Sequence, residues 1–327
     1  VGHVFVINLE NEDYDSAWGP SSPARYLNTT LVPEGKLLTQ YYAIGHASLD
    51  NYIAEISGQS PNPATQGDCI TYSDFVSKGT APYGQALGSG CVYPRTVTTI
   101  ADQLSAAHKT WRAYMEDMAT PCRHPDLGTA DDTIVTQPGD MYATRHNPFV
   151  YFHSIVDSPV CAQNVVDFVS FDVDLQSIDT TPNLSFISPN LCHDGHDEPC
   201  IDGEPGGLAS ADEFLSEAVP DILASPAYKA DGLLIITFDE GQLTSTAACC
   251  NTPVSPNAEK PGLGGPGGGR VGTLLLSPRV RGGTTDATPY NHYSLLCSLE
   301  DIFGLAHLGF AGAPGLACFG RDVYDGS

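Results

Sequence analysis

The run Gly232 to Gly241, GLLIITFDEG, constrains this chain more than any other stretch. Leu233 to Thr237 is apolar or β-branched without a break, which suits a strand buried on both faces. Asp239 and Glu240 then stand side by side where the strand should end. Adjacent carboxylates at that point repel each other unless a positive charge intervenes, and in an α/β fold this edge of the sheet is where ligands bind. A lone pair of this kind is ordinarily a solvated turn. A second run changes that balance: His3 to Leu9, HVFVINL, is another buried strand, and it delivers Glu10 and Asn11. Two interior strands bringing Glu-Asn and Asp-Glu to one edge would build an oxygen-rich cage for a metal ion.

Other strand and helix signals alternate along the chain. Gly35–Tyr42, Thr110–Met115, Leu184–Ser188 and Arg270–Ser277 read as strands. Helices are expected from Asn51 to the stop at Gly58, over a stretch with one face marked by Val97, Ile100, Ala101 and Leu104, and from a Ser210/Glu213 capping box through Leu215, Ala218, Val219 and Ile222 with a kink at Pro220. A last helix runs from near His292 to the stop at Gly304. Alternation of this kind predicts an α/β fold, a mixed and mainly parallel central sheet with helices on both faces. We read residues 1–327 as one domain, with long loops at 57–94 and 118–160 and a Gly/Pro-rich, mobile surface loop at 252–269, where six of the last eight residues are glycine.

Ten cysteines argue for disulfides and an oxidising, secreted or cell-envelope setting. Short separations suggest Cys69–Cys91, Cys122–Cys161, Cys192–Cys200 and Cys297–Cys318, while Cys249 and Cys250 are vicinal. A formal charge of −25 disfavours nucleic acid and anionic membranes. No run approaches the ~18 apolar residues that an integral membrane segment needs.

Ser48 falls at a strand-to-helix junction, where backbone amides and the helix dipole favour an anion. A nucleophilic hydroxyl that attacks a phosphate belongs in such a place.

With these residues laid out, the chain resembles the bacterial phosphoesterase family of secreted acid phosphatases and phospholipases C, a branch of the alkaline phosphatase superfamily. The resemblance rests on ordered motifs: Glu10-Asn11-Glu12-Asp13-Tyr14-Asp15, His46-Ala-Ser48-Leu-Asp-Asn51-Tyr52, Arg145-His146-Asn147-Pro148, Pro189-Asn190-Leu-Cys-His193-Asp194-Gly-His196-Asp197, Thr237-Phe-Asp239-Glu240, and Asn291-His292-Tyr293. It implies an alkaline-phosphatase-like three-layer sandwich. It also implies Glu10, Asn11, Asp239 and Glu240 as ligands of one divalent metal, Ser48 as nucleophile and Asn51 as a phosphate contact. All-oxygen ligands favour Ca²⁺ or Mg²⁺, with Mn²⁺ or Zn²⁺ as alternatives.

Closer relatives carry prolines where this chain has Ala47 and Asp50, so Asp50 adds negative charge beside an anionic substrate. Asn190 replaces an Asp that serves a second zinc in dimetal members, which points to one metal and leaves His193 and His196 to bind phosphate or shuttle protons. Arg145 is expected to neutralise phosphoryl oxygens. His46, His146 and His292 stand between phosphate contacts and structural hydrogen-bonding residues. The expected activity is hydrolysis of phosphate monoesters on small molecules or lipid head groups through a phosphoserine. The alternatives are a phospholipase C and a metal-stabilised binding protein without turnover.

Overall fold

A computed structural model describes residues 1–325. Its centre is an eight-stranded sheet in the order Thr284–Asp286, Lys36–Leu38, Thr273–Leu276, Gly232–Phe238, His3–Leu9, Leu184–Ser188, Trp111–Met115, Val165–Asp167. Thr273–Leu276 runs antiparallel to both of its neighbours, and the remaining pairings are parallel. The two strands that anchor the sequence reading are central neighbours, every residue of both is buried, and their register sets Ile7 beside Ile236 and Leu9 beside Phe238. Burying each of these large apolar side chains contributes roughly 1.5–3 kcal/mol. That makes the middle of the sheet a firm base for whatever follows the strand ends.

Layers cover both faces of the sheet. Alternate residues of a strand point to opposite sides, and His3–Leu9 shows it: Asn8 reaches Glu55 on the helix Ser48–Ser57, while Phe5 meets the Phe171 ring edge-on at 6.3 Å. The helix Ser48–Ser57 packs against His292–Phe303, and each ends on a left-handed glycine, Gly58 (φ 66°) and Gly304 (φ 69°).

Several boundaries differ from the sequence reading. The first of these helices begins at Ser48 rather than Asn51. Gly35–Tyr42 divides into Lys36–Leu38 and a two-residue bridge at Tyr41–Tyr42. Ser210 caps nothing: its helix already starts at Gly207, and the Ser210 hydroxyl accepts from Gly206 N–H inside the first turn. Capping boxes form instead at Thr99 with Asp102 and at Asn291 with Ser294. Pro220 sits within Gly207–Ala224 without ending it. The 57–94 excursion holds a hairpin, Val76–Ala81 with Gln85–Ser89.

The 252–269 segment has no regular element, yet it is tied to the loop before Ser48. Pro261 O accepts from His46 N–H at 3.0 Å, and Gly268 approaches Gly45 so closely that a Cβ would lie 2.1 Å from its carbonyl oxygen. The four cysteine pairs suggested by spacing are disulfides, and Cys249 is joined to Cys250.

Candidate active site

The strand register builds the site. Because Leu9 lies beside Phe238, the next residues, Glu10 and Asp239, emerge together at the carboxyl edge of the sheet, and Asp239 N–H donates to Leu9 O at 2.8 Å. Glu10, Asp239 and Glu240 are all buried. Two backbone amides, Asn11 N–H at 3.1 Å and Glu240 N–H at 2.5 Å, hold Asp239 Oδ1. Asn11 thus serves the cage through its main chain, in a left-handed conformation (φ 55°) that asparagine tolerates.

Ser48 opens the helix Ser48–Ser57, and its hydroxyl donates to Glu10 Oε2 at 2.8 Å. One turn on, Tyr52 falls on the same face and donates to Glu10 Oε1 at 2.5 Å. Both oxygens of Glu10 are therefore fixed by one helix. Glu55, on the following turn, accepts from Asn8 Nδ2 at 2.7 Å and lies 2.8 Å from His292 Nδ1.

The remaining sequence candidates divide into two groups. His46, Arg145, His146 and His196 surround the cage. His46 Nδ1 meets Glu240 Oε2 at 2.7 Å, and its Nε2 faces Ser245 O. His146 Nδ1 lies 3.0 Å from Asp194 Oδ2, and its Nε2 lies 3.4 Å from Glu10 Oε1. The Arg145 guanidinium reaches His196 Nε2 at 3.2 Å, and Asp197 holds the other nitrogen of that ring at 2.8 Å.

Asn51, His292 and His193 are placed differently from the expectation. The Asn51 amide is spent on the loop before Ser48: its Oδ1 accepts from Ile44 and Gly45 N–H, and its Nδ2 donates to Gly45 and Ala47 oxygens. His292 is fully buried beneath the cage, with Nε2 on the Asp239 carbonyl at 2.5 Å, so it supports Asp239 from behind. His193 lies elsewhere. Its nitrogens face Glu116 at 2.8 Å and Glu204 at 3.5 Å, and it lines a separate acidic cavity of about 370 Å³ with Phe168 and Phe214. The Glu116 hydrogen bond pushes the His193 imidazole up to about 9.

Sequence reasoning missed Tyr52, Glu55 and Asp194 as site residues. The helical spacing from Ser48 carried the signal for Tyr52 and Glu55. Asp194 sat unremarked between two histidines of a quoted motif.

Electrostatically the cage is overloaded with negative charge. Burial, then the charges of Asp239 and Asp194, hold the Glu10 carboxyl well above the ordinary range. Burial does the same to Asp194 and raises Asp239, and Glu240 is raised by burial and then by Asp239 and Asp68. Asp50 is buried with both carboxyl oxygens unpartnered, and burial followed by Glu240 raises it too. Within the cage, Asp239 Oδ2 and His146 Nε2 are buried atoms without a hydrogen-bond partner. Ligand atoms of Glu10, His146 and Asp194 lie within 4.8 Å of one another. Clustered buried carboxylates with orphaned acceptors are what a divalent cation satisfies, so the residues present fit one.

The eight-stranded, mostly parallel mixed sheet gathers these polar groups at one carboxyl edge. The chain belongs to the Phosphoesterase family, which it matches over residues 26–306.

It is 30% identical over 304 residues to a phosphate-repressible acid phosphatase of Penicillium chrysogenum, covering 92% of this chain and 58% of that protein. It is 26% identical over 309 residues to a phosphatidylinositol-3-phosphatase of Mycobacterium tuberculosis, covering 94% and 79%. The chain spans somewhat over half the length of the fungal acid phosphatases it matches. Murine ectonucleotide pyrophosphatase/phosphodiesterase 5 shares the fold, with a TM-score of 0.52, 12% identity and coverage of 94% of this chain and 96% of that one.

Proposed function

We propose that the chain is a secreted, metal-dependent phosphomonoesterase that works through a phosphoserine on Ser48. The observation that carries this reading is the buried Ser48 hydroxyl, at the start of a ten-residue helix, donating to Glu10 Oε2 inside the carboxylate cage. Four relatives bear acid phosphatase names and a fifth is named for removing phosphate from a phosphoinositide, which favours monoesters over diesters. Five disulfides support an oxidising compartment.

Glu10, Asp239 and Glu240 are the carboxylates that would hold the ion, with Ser48 at its edge. When bound, the ion supplies Lewis acidity that favours the ionised serine oxygen and a polarised phosphoryl group. Ser48 attacks phosphorus in line, and its proton goes to Glu10 Oε2, where the hydroxyl hydrogen already points. Arg145 neutralises developing charge on the phosphoryl oxygens, together with the backbone amides at the helix start around Ser48. Once Arg145 turns from His196 Nε2 to the phosphoryl oxygens, the protonated ring, held by Asp197 through Nδ1, gives its Nε2 proton to the leaving oxygen and later takes one from the water that cleaves the phosphoserine.

The test is hydrolysis of p-nitrophenyl phosphate against bis(p-nitrophenyl) phosphate across pH, before and after chelation and metal restoration. Faster monoester turnover that chelation removes and metal restores is the expected result. Faster diester turnover would move the chain to the phospholipase C reading, and full activity after chelation would remove the metal mechanism.

A further inference from the structure

We propose that His146 gives a nitrogen ligand, through Nε2, to the cation held at the strand ends, and that Asp194 is the positioning residue that aims it. The inference rests on the metal reading above and goes beyond it, because the strand-end set alone contains only oxygen.

Four imidazoles border the cage, and three have both nitrogens engaged. His46 is held between Glu240 and Ser245 O, His196 between Asp197 and Arg145, and His292 between the Tyr41 hydroxyl and Asp239 O. His146 differs. Its Nδ1 is taken by Asp194 Oδ2 at 3.0 Å, but Nε2 has no hydrogen-bond partner although the residue is only 1% exposed. Leaving such an atom unsatisfied costs about 1–3 kcal/mol, so a buried orphan that faces a carboxylate cage implies a ligand.

The spacing fits an ion better than a hydrogen bond. His146 Nε2 and Glu10 Oε1 are 3.4 Å apart. A charged N–H···O⁻ contact would close to about 2.7–2.9 Å. Two ligand atoms each about 2.1 Å from one tetrahedral zinc stand about 3.4 Å apart.

The ring is also locked for this purpose. A carboxylate on Nδ1 accepts the N–H there and leaves the lone pair on Nε2, the arrangement that second-sphere carboxylates impose on metal-binding histidines. Asp194 is itself fixed, its Oδ1 accepting from His196 N–H at 2.8 Å. Tyr52 stacks on the His146 ring with centroids 5.4 Å apart and planes 8° from parallel, while its hydroxyl holds Glu10 Oε1. One tyrosine therefore orients both ligands. A nitrogen among the oxygens shifts the preferred cation from Ca²⁺ or Mg²⁺ toward Zn²⁺ or Mn²⁺.

The experiment is X-ray absorption on the full chain, stripped of metal and reloaded with Zn²⁺, with titration calorimetry beside it. The wild type and His196→Gln are expected to show one imidazole in the first sphere, and His146→Gln none. Asp194→Asn should weaken Zn²⁺ binding about 10- to 100-fold. A first sphere of oxygen alone in the wild type, or an imidazole that survives His146→Gln, overturns the inference and leaves the metal reading standing. Failure of the stripped chain to bind Zn²⁺, Mn²⁺ or Ca²⁺ overturns both. If His146→Gln does not fold, an oxygen-only wild-type sphere or an Asp194→Asn variant with unchanged Zn²⁺ affinity still overturns the inference.

Discussion

Ser48 and Glu10, 38 residues apart in sequence, meet at 2.8 Å where a helix start faces a strand end, the serine donating and the carboxylate accepting. The contact joins the buried hydroxyl at that helix start to a carboxylate that burial and its acidic neighbours hold well above the ordinary range. It also lets two independent elements, a parallel strand and the helix that crosses it, set a single geometry.

Ser48→Ala should therefore abolish turnover, by at least about a thousandfold in kcat, and leave the fold intact. It removes the attacking oxygen and little volume. Acid-quench mass spectrometry should find phosphate on the Ser48 peptide of the wild type and none on the variant. A variant that keeps a tenth of the rate places the nucleophile elsewhere.

Chelated protein should lose stability as pH rises. The folded carboxyls of Glu10, Asp194, Asp239 and Glu240 are raised above their ordinary values. Their contribution is fully present below about pH 4 and is lost as pH climbs through the folded values. Melting curves from pH 4 to 8 should slope downward without metal and flatten when one divalent ion per chain is restored.

Glu300 offers a test away from the site. Burial pushes its carboxyl up to about 9; one oxygen accepts from Leu308 N–H at 2.9 Å and the other has no partner. It is protonated when folded at neutral pH, whereas the unfolded chain gains by ionising it. Glu300→Gln should raise stability at pH 8 by about 1–3 kcal/mol and give no such gain at pH 4, as denaturant titration would show.

His193→Gln should change kcat by no more than about twofold, because the ring faces Glu116 and Glu204 rather than Ser48. Its raised folded value gives stability that is present below about pH 6.5 and is lost as pH rises through about 9. The variant's deficit, about 1 kcal/mol for a half-buried pair screened by solvent, should be visible at pH 6 and gone at pH 10. A large loss of turnover would return His193 to the catalytic set.

Disulfide losses should scale with the loops closed. Replacing Cys122 and Cys161, 39 residues apart, should cost about 4 kcal/mol by loop entropy, against about 2.5 for Cys192 and Cys200, 8 apart. Paired Cys→Ser variants compared by denaturant melting check the order.

What the sequence determined by itself is what local chemistry dictates. Short runs dominated by apolar and β-branched residues suit interior strands, so Gly232–Phe238 and His3–Leu9 were legible, and so was the delivery of Glu10 and Asp239 to one edge. Ser48 was legible as lying at a strand-to-helix junction, although the helix was expected only from Asn51, and the cysteine spacing found four of the pairs.

Only the tertiary structure decided which side chains share that edge. Ser210 looked like a cap because pattern alone cannot show that a helix has already begun at Gly207. His193 and His196 are three residues apart, yet the chain turns between them, sending one ring to an acidic cavity and the other to Arg145. His292 and Asn51 carry functional residue types, but packing commits His292 Nε2 to the Asp239 carbonyl and the Asn51 amide mostly to the loop before Ser48. Spacing records which groups a chain carries. Where a ring nitrogen points, and whether anything already meets it, follows from contacts between residues far apart in sequence, and those form only when the sheet and its two helical layers close together.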